Sequence, residues 1–362
     1  MWFKSSFTTL AVAAFCFCSI GGTTPTYADL GDQLFKLLPD DGASSDWFGH
    51  SVAISNTKAI VGVPLDDDNG FASGSAYLFD TSTGAQMVKL LADDGSDLDS
   101  FGTSVAITGP PGNEIAIVGA SLDDENGFLS GSAYLFDSTT GQQIAKLLHD
   151  DGAAFDRFGT SVAISGITAI VGVPGDDEAS GSAFLFYAAT GQQIGKLLPD
   201  DGAADDHFGV SVAISGHAGK EVAIVGAWWD DDNGVKSGSA YLFDLTTRMQ
   251  IAKLLPDDGA ADDHFGVSVA IGGPPGKEVA IVGADRNDDN GEDSGSAYLF
   301  DAARTPSCIW DLDDSGDVGA SDLLALLAAW GPCKGCPADF DGNGTVGASD
   351  LLALLVNWGP CP

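Results

Sequence analysis

Hydrophobic and polar positions repeat along residues 34–301 in five similar units. The repeat is clearest in a Phe-Gly pair that opens an alternating run, such as FGHSVAI at positions 48–54. Near copies begin at Phe101, Phe158, Phe208 and Phe265, so the spacing between successive pairs is nearly constant. A recurring period of this size, about 50 residues, is typical of a propeller, a solenoid or another repeat array.

Each repeat contains four short apolar runs bounded by turn-forming residues. In the first copy these runs are Ser51–Ile54, Ala59–Val63, Gly74–Phe79 and Met87–Leu91. Short runs rich in Val, Ile, Leu, Tyr and Phe, separated by Gly, Asp, Asn, Ser or Pro, predict an antiparallel meander of four strands. A four-stranded unit of this length has the size of one propeller blade, which needs its neighbours to cover its faces.

The fourth strand of each unit carries Lys-Leu-Leu, and this tripeptide predicts how the array closes. It begins at Lys36, Lys89, Lys146, Lys196 and Lys253, in each case at the same distance before a Phe-Gly pair. It therefore precedes the first unit and does not follow the last one. We predict that Leu34–Leu38 completes the last blade as an N-terminal strand clasp, closing an all-β propeller of five four-stranded blades. An open array of five units is the alternative.

Residues 1–28 have the pattern of a secretory signal peptide. Lys4 supplies a positive charge, Phe7–Ile20 is mostly apolar, and Thr26-Tyr27-Ala28 offers a small-residue cleavage site. The apolar run is shorter than the roughly 20 residues that a membrane-spanning helix needs, so we expect no membrane span. We predict a secreted protein, located outside the cell or at the cell surface.

The charge of the chain narrows the choice of partners. With 52 acidic and 15 basic residues the net charge is −37, which excludes nucleic acid as a partner. The acidic residues recur in two loops, one before each Phe-Gly pair, as in Pro199–Asp206, and one between the second and third strands, as in Asp66–Gly70. Solvated turns are one interpretation of these loops, because Asp, Asn and Gly favour tight turns. Calcium binding by neighbouring carboxylates is the other.

The recurring FGxSVAI, followed by AIVGVP at Ala59–Pro64, resembles the FG-GAP repeat of integrin-α-like propellers. The resemblance covers residues 34–301 and implies a β-propeller. Integrin-type repeats carry calcium between the first and second strands, whereas that link is here only Ser55–Lys58 and has no acidic ladder. The calcium sites of the family are therefore not transferred. Integrin-type propellers also have seven blades, against the five counted here.

No constellation in the repeats predicts catalysis, so we expect no catalytic residues. The five histidines are scattered, and the sequence has neither a His-Glu-x-x-His metal motif nor a Gly-x-Ser-x-Gly nucleophile elbow. His207 and His264 occupy the same place in two repeats, which favours a structural role. Trp228-Trp229 breaks the repeat pattern, and it is either a platform for a glycan or a protein ligand or an element of blade packing.

A second duplication lies near the C-terminus, where the pattern of residues 311–322 recurs at residues 339–350. Both segments have oxygen-bearing side chains at positions 1, 3, 5 and 12, glycine at position 6 and an apolar residue at position 8, which is the pattern of the EF-hand calcium loop. Position 7 ligates through its main-chain carbonyl. We predict two Ca²⁺ ions, held by Asp311, Asp313, Ser315, Asp317 and Asp322 and by Asp339, Asp341, Asn343, Thr345 and Asp350.

Each loop runs into a predicted helix. Leu323, Leu326, Leu327 and Trp330 fall on one helical face, and the same spacing recurs from Leu351 to Trp358. One loop and one helix per repeat, with Asp at position 12 and a following Trp-Gly-Pro-Cys, resemble the type I and GC-type dockerin modules over residues 308–362. The resemblance implies docking to a cohesin-like or cell-surface protein.

Four cysteines lie in this module, at positions 308, 333, 336 and 361. An even set in an exported protein implies disulfides, for which three connectivities are possible. The pairs Cys308–Cys333 and Cys336–Cys361 have equal spacing and bracket one loop each, so we favour these two pairs. Zinc binding through Cys333 and Cys336 is the alternative.

These observations predict a signal peptide at 1–28, an FG-GAP-type propeller at 29–301, a linker at 302–307 and a small all-α dockerin-like domain at 308–362. The leading hypothesis is a secreted, non-enzymatic interaction protein whose tail docks in a calcium-dependent manner, with a glycan or a protein as the ligand of the propeller. The alternative is a dockerin-borne enzyme acting on polysaccharide.

Overall fold

The computed structural model describes residues 33–216, 221–274, 277–302, 310–313, 315, 317–333, 336–341 and 343–360. The chain divides into two compact units, Met1–Lys36 and Leu37–Pro362. Of the first unit only residues 33–36 are described, and they have no regular secondary structure. The predicted signal peptide lies outside the described residues.

Nineteen strands of the second unit form five antiparallel sheets in which sequential strands are neighbours. The first sheet contains β1 (Ser51–Ser55), β2 (Lys58–Val63), β3 (Ser75–Asp80) and β4 (Gln86–Leu90). The second contains β5 (Phe101–Thr108), β6 (Ile115–Ala120), β7 (Ser132–Asp137) and β8 (Gln143–Leu147). The third contains β9 (Ser161–Ser165), β10 (Thr168–Val173), β11 (Ser182–Tyr187) and β12 (Gln193–Leu197), with the short helical segment α1 (Asp176–Ala179) between β10 and β11.

The fourth sheet contains β13 (Phe208–Ser215), β14 (Val222–Ala227), β15 (Ser239–Asp244) and β16 (Met249–Leu254). The fifth contains β17 (Phe265–Gly272), β18 (Val279–Ala284) and β19 (Ser296–Asp301). The predicted meander is confirmed in all four strands of the first four sheets and in three strands of the fifth. The architecture is all-β and consistent with propeller blades.

The Phe-Gly-x-Ser motif joins each sheet to the next. Gly102 has a φ of +96°, in the left-handed region that favours glycine. A Cβ atom on Gly62 of the preceding sheet would collide with the main-chain oxygen of Gly102, so both positions require glycine. The Ser51 hydroxyl donates a hydrogen bond to the main-chain oxygen of Gly102 at 2.7 Å. The same bond, at 2.7–2.8 Å, joins Ser104 to Gly159, Ser161 to Gly209 and Ser211 to Gly266.

The core lies between successive sheets. We call the face that carries Ile60 and Leu78 in the first sheet the trailing face, and it packs against Val118, Tyr134 and Phe136 on the leading face of the second. The same arrangement recurs at the next three junctions. A single sheet therefore has two apolar faces, and the alternation of strand residues explains why neighbouring repeats are needed to bury them.

The predicted N-terminal clasp is not formed. Residues 33–38 form no strand, and the described part of the fifth sheet has three strands. Leu37 instead packs against the leading face of the first sheet, next to Val61 and Tyr77. Leu90, its counterpart one repeat later, belongs to the core cluster at the leading face of the second sheet. Leu37 therefore packs in the same way as its counterpart in the next repeat, whereas the predicted pairing of Leu34–Leu38 with the fifth sheet is wrong.

The two end faces of the array are exposed. Leu299 and Ile281 on the trailing face of the fifth sheet are 71% and 42% exposed, whereas Leu242, one repeat earlier, is 3% exposed. On the first sheet Val52 and Ile54 are 68% and 72% exposed. The structure therefore favours the open array of five units over the closed ring.

The C-terminal module contains two helices, α2 (Ala320–Ala328) and α3 (Ala348–Val356), as the periodicity predicts. Two-residue strands tie them together: β20 (Asp317–Val318) pairs with β23 (Gly359–Pro360), and β21 (Gly331–Pro332) pairs with β22 (Thr345–Val346). The buried core consists of Val318, Leu326, Ala338, Val346 and Leu354. Within the described residues no helix is long and apolar enough to cross a membrane.

The disulfide pairing differs from the prediction. Cys333 and Cys336 are joined, with their Cα atoms 5.7 Å apart, a separation that a disulfide spans. The favoured pairs Cys308–Cys333 and Cys336–Cys361 are therefore wrong, and Cys308 and Cys361 lie outside the described residues. Cys333 directly follows β21, and Cys336 comes three residues later, so the disulfide closes a short segment between α2 and the second loop.

Candidate functional site

The two C-terminal loops bring together the carboxylates that the sequence predicts. One oxygen from each of Asp311, Asp313 and Asp322 lies within 4.8 Å of the others, and the same holds for Asp339, Asp341 and Asp350. Both position-12 residues, Asp322 and Asp350, are fully buried. Carboxylates this close repel one another unless protons, hydrogen-bond donors or a cation compensate their charge.

Main-chain amides hold the position-12 carboxylate in place. Asp322 Oδ1 accepts hydrogen bonds from the amides of Leu312 and Asp313 at 2.6 and 3.1 Å, and Asp322 Oδ2 accepts one from Gly319 at 2.7 Å. Gly319 is the N-cap of α2, so Asp322 also satisfies a free amide at the start of the helix. The loop and the helix are thus fixed by one side chain.

The second loop repeats this geometry. Asp350 accepts hydrogen bonds from the amides of Phe340, Asp341 and Gly347 at 2.8–3.3 Å. Burial disfavours the ionised form of Asp350, but these amides outweigh burial, so the pKa of this carboxyl is lowered. The carboxylate is therefore the form present at neutral pH.

Oxygen atoms at positions 3, 5 and 7 of the first loop are linked by hydrogen bonds. The hydroxyls of Ser321 and Ser315 lower the pKa of Asp313 to about 2. The Ser315 hydroxyl donates to the main-chain oxygen of Asp317 at 3.1 Å, which places these two oxygens side by side. In a calcium loop, the side chain at position 5 and the carbonyl at position 7 are neighbouring ligands.

The second loop keeps the main-chain contacts that position 5 makes in the first loop but differs in the bond of the side chain. The main-chain amide of Asn343 donates to Asp339 and Asp341 at 3.1 Å, as that of Ser315 does to the carboxylates at positions 1 and 3 of the first loop. The side-chain oxygen Oδ1 of Asn343 accepts a hydrogen bond from the main-chain amide of Thr345 at 2.9 Å. The side chain at position 5 is thus folded back over the loop. Both loops offer only oxygen atoms, and an all-oxygen donor set suits a hard divalent cation such as Ca²⁺ or Mg²⁺.

In four of the repeats a lysine ammonium lies among the carboxylates of the acidic loops, a contact that the sequence analysis did not predict. Lys89 Nζ lies within 2.9 Å of Asp41, Asp66 and Asp68. Lys146, Lys196 and Lys253 hold equivalent sets of three carboxylates within 3.4 Å. The recurring Lys-Leu-Leu tripeptide was the sequence signal for this cation, because its lysine lies in the fourth strand next to residues that face the core. In these four sheets the lysine ammonium therefore compensates part of the carboxylate charge of the loops.

A further cluster, also missed, lies between the second and third sheets. One ligand atom from each of the buried residues His149, Asp156 and Asp176 lies within 4.8 Å of the others. Proline or alanine stands at the position of His149 in the other repeats, at Pro39, Ala92, Pro199 and Pro256. This departure from the repeat was the signal in the sequence.

A groove of about 780 Å³ lies next to this cluster and contains Trp228. Trp228 stacks on Trp229 with ring centroids 5.3 Å apart, and it contacts His264 edge to face at 4.8 Å. Burial lowers the pKa of His207, whose ring lies 4.6 Å from that of Trp229. The aromatic pair therefore packs against histidines of two repeats, and Trp228 also lines the groove together with Phe155 and several carboxylates.

The chain matches the model of the FG-GAP repeat family at residues 32–79, 85–136, 142–186, 192–243 and 249–300. These five segments cover more than half of the chain, and each contains the first three strands of one sheet. From the second segment on, each also begins with the fourth strand of the preceding sheet. No curated protein matches the chain. The five sheets, their Phe-Gly turns and these matches show that the chain belongs to the FG-GAP repeat family.

Proposed function

We propose that this chain is a secreted, non-enzymatic interaction protein. Its FG-GAP repeats form a rigid scaffold that displays loops, and its C-terminal dockerin-like module, residues 308–362, docks to a cohesin-like or cell-surface protein when calcium is bound. The repeat family supports the scaffold role. The observation that carries the docking role is the pair of three-carboxylate clusters, because each cluster stands at the start of a helix that a cation would stabilise.

The proposed calcium ligands follow the loop positions. Asp311, Asp313 and Asp322 supply carboxylate oxygens in the first loop, Ser315 supplies its hydroxyl, and Asp317 supplies its main-chain oxygen. In the second loop Asp339, Asp341, Asn343, Thr345 and Asp350 take the same roles. Calcium would neutralise carboxylates whose repulsion otherwise opposes a small module with a five-residue buried core.

The surface of the helix pair supports protein docking. Leu324 and Leu352, which occupy the same position in the two copies, are 68% and 63% exposed, and Leu327 and Leu355 are 47% and 48% exposed. Exposed apolar side chains clustered on a small module are typical of interaction surfaces. The duplication places the same residues on both helices, so a partner would meet two related surfaces. Since both helices start at a carboxylate cluster, calcium and the partner would be thermodynamically linked.

Calcium titration of the purified full-length chain by isothermal titration calorimetry tests this proposal. We expect two calcium ions in the wild type and none in the double variant Asp311→Ala, Asp339→Ala. The same proteins are then passed over immobilised cohesin-type modules in calcium and in chelator. Binding that requires calcium and the two aspartates supports the proposal. A wild type that binds no calcium, or that binds every partner equally in chelator, contradicts it.

A polysaccharide-active enzyme is the second candidate, favoured by the groove of about 780 Å³. The groove is lined by Phe155 and Trp228 together with carboxylates such as Asp151, Asp177 and Asp205. Aromatic rings can stack on sugar rings, and paired carboxylates hydrolyse glycosidic bonds in many enzymes. Incubating the full chain with a panel of polysaccharides separates the two functions. Retention without product supports the interaction protein, whereas release of reducing sugar that Trp228→Ala abolishes supports the enzyme.

A further inference from the structure

His149 is the one histidine that enters the loop before a Phe-Gly pair at a position where other repeats have proline or alanine. It is 3% exposed and lies between the second and third sheets. Its ring stacks on Phe158 with an interplanar angle of 6° and ring centroids 5.3 Å apart, and it contacts Phe184 at 4.9 Å. Aromatic packing on two sides therefore fixes the orientation of the imidazole.

The two ring nitrogens of His149 have different surroundings. Nδ1 lies 3.1 Å from Oδ1 of Asp151, so the tautomer protonated at Nδ1 donates a hydrogen bond to this carboxylate. Nε2 is buried and has no hydrogen-bond partner within the described part of the chain. It lies 3.4 Å from Oδ2 of Asp156. In the neutral ring the lone pair of Nε2 would then face a carboxylate oxygen, which is unfavourable unless a cation lies between them.

The third member of the cluster is Asp176, which is 4% exposed and reaches the same place from the loop after β10. Its Oδ2 atom lies 2.8 Å from Lys196 Nζ. Lys196 also contacts Asp151 and Asp177, so a single ammonium compensates the charge of three carboxylates. A carboxylate has two oxygens, and Asp176 can bind the ammonium and a metal ion at the same time. The charge of the pocket therefore favours a second cation.

We propose that His149, Asp156 and Asp176 bind one divalent transition-metal ion of the zinc class at the junction between the second and third sheets. One imidazole nitrogen and two carboxylate oxygens form a donor set that zinc accepts, with its remaining position filled by water. The Asp151 carboxylate contacts Nδ1, on the other side of the ring from Nε2, and so orients the imidazole, as hydrogen-bonded carboxylates do for histidine ligands in zinc sites. Asp156 and Asp176 also line the groove, which gives the ion a path from solvent.

This site is distinct from the C-terminal loops in position and in donor chemistry. Those loops offer only oxygen atoms, whereas this cluster adds a nitrogen, which hard cations such as calcium do not prefer. Every other junction has a second acidic or amide residue in the place of Asp176, such as Asp123 and Asn287, but none has a histidine. The proposed ion would therefore bind at a single junction and brace the second sheet against the third.

Zinc titration of the full-length chain by calorimetry, in millimolar calcium to saturate the C-terminal loops, tests the site. The variants His149→Ala and Asp176→Asn each copy a residue that another repeat already has at that position, Ala92 and Asn287, so both are expected to fold. We expect one equivalent of zinc in the wild type that either variant weakens by at least about 100-fold. Zinc should raise the melting temperature of the wild type and not that of His149→Ala.

Two results would overturn the proposal. One is equal zinc binding by the wild type and His149→Ala, which would place the ion elsewhere. The other is a wild type that takes up no zinc, which would show that these three side chains form no metal site. Ala92→His is the gain-of-site control, because it places a histidine beside Asp99 and Asp123 at the preceding junction. A second equivalent of zinc in Ala92→His would support the proposed donor set.

Discussion

Lys253 Nζ lies 2.9 Å from Oδ2 of Asp230, a buried carboxylate in the loop between the second and third strands of the fourth sheet. The three preceding sheets repeat this pair at 2.8–3.0 Å, between Lys89 and Asp66, Lys146 and Asp123, and Lys196 and Asp176. The fifth sheet has neither partner: its described part lacks the fourth strand, and Asn287 replaces the aspartate. The buried charge is thus absent from the sheet that has no lysine to neutralise it, which is a physical argument against the predicted clasp by Leu34–Leu38.

The first prediction concerns this lysine. Lys146→Met would leave Asp123, whose side chain is 6% exposed, without its ammonium partner. Because an unpaired buried charge is costly, we expect the free energy of unfolding to fall by about 3 kcal/mol. The second change Asp123→Asn should restore much of the loss, since it reproduces the neutral residue of the fifth sheet. Urea unfolding of the wild type, the single variant and the double variant measures both effects. A double variant no more stable than the single variant would contradict the charge argument.

The second prediction compares two leucines at the same position of adjacent repeats. Leu242 is 3% exposed and packs against the fifth sheet, whereas Leu299 is 71% exposed. We expect Leu242→Ala to cost about 2–5 kcal/mol, the usual range for removing a buried leucine side chain. Leu299→Ala should cost no more than about 0.5 kcal/mol. The two variants differ only in burial, so each is the control for the other. Equal losses in urea unfolding would mean that the last trailing face is covered and the ring closed.

Much of the fold could be predicted because the repeat fixes it locally. The alternation in Ser51–Ser55 and its copies determines which residues face the neighbouring sheet, and the glycine of each Phe-Gly pair is required by the backbone at Gly102. The clasp could not be predicted from counting strands. Strand pairing of Leu34–Leu38 competes with packing of Leu37 on the first sheet, and only the three-dimensional structure shows which contact forms.

The candidate sites were predictable to different degrees. The carboxylates of the C-terminal loops are close in sequence, so the spacing from Asp311 to Asp322 was enough to bring them together. The cluster at His149 joins residues from two separate loops, and the repeat pattern hid it until the junction was seen. The disulfide of Cys333 depends on how the two loop-helix units connect, which equal spacing between cysteines does not determine.

The third prediction is a pH dependence of stability. Burial raises the pKa of Asp99 to about 6, and the charge of Asp123 adds to this effect, while the Ser96 amide opposes it. Between pH 4 and pH 6 the folded protein therefore keeps a proton that the unfolded chain loses. The contribution of Asp99 to stability must then decrease as pH rises through this window. Asp99→Asn removes the titration and keeps an acceptor oxygen for the Ser96 amide, so the variant should melt higher than the wild type at pH 7 and gain little at pH 4.

The exposed residue Asp93 provides the control for this effect. Asp93→Asn makes the same change in net charge, on a chain with a net charge of −37, without removing a buried carboxylate. Melting temperatures of the three proteins from pH 4 to pH 8 separate local burial from the general charge. If Asp93→Asn and Asp99→Asn stabilise the protein equally at pH 7, the effect comes from net charge and not from the Asp99 site.

The last prediction distinguishes ligand side chains within one calcium loop. Asp322 is fully buried, holds three main-chain amides and faces Asp311 and Asp313, whereas the side chain of Asp317 is exposed and position 7 would ligate through its carbonyl. Asp322→Asn keeps one acceptor oxygen for the amides but removes the charge, so the first loop should lose at least about tenfold in calcium affinity. Asp317→Asn removes the same charge nearby and should change the affinity little. Calorimetry on the full-length chain counts the sites directly, and the second loop, with Asp350, should bind one calcium in both variants. Equal weakening by the two changes would mean that calcium responds only to the local charge, and the proposed ligand set would be wrong.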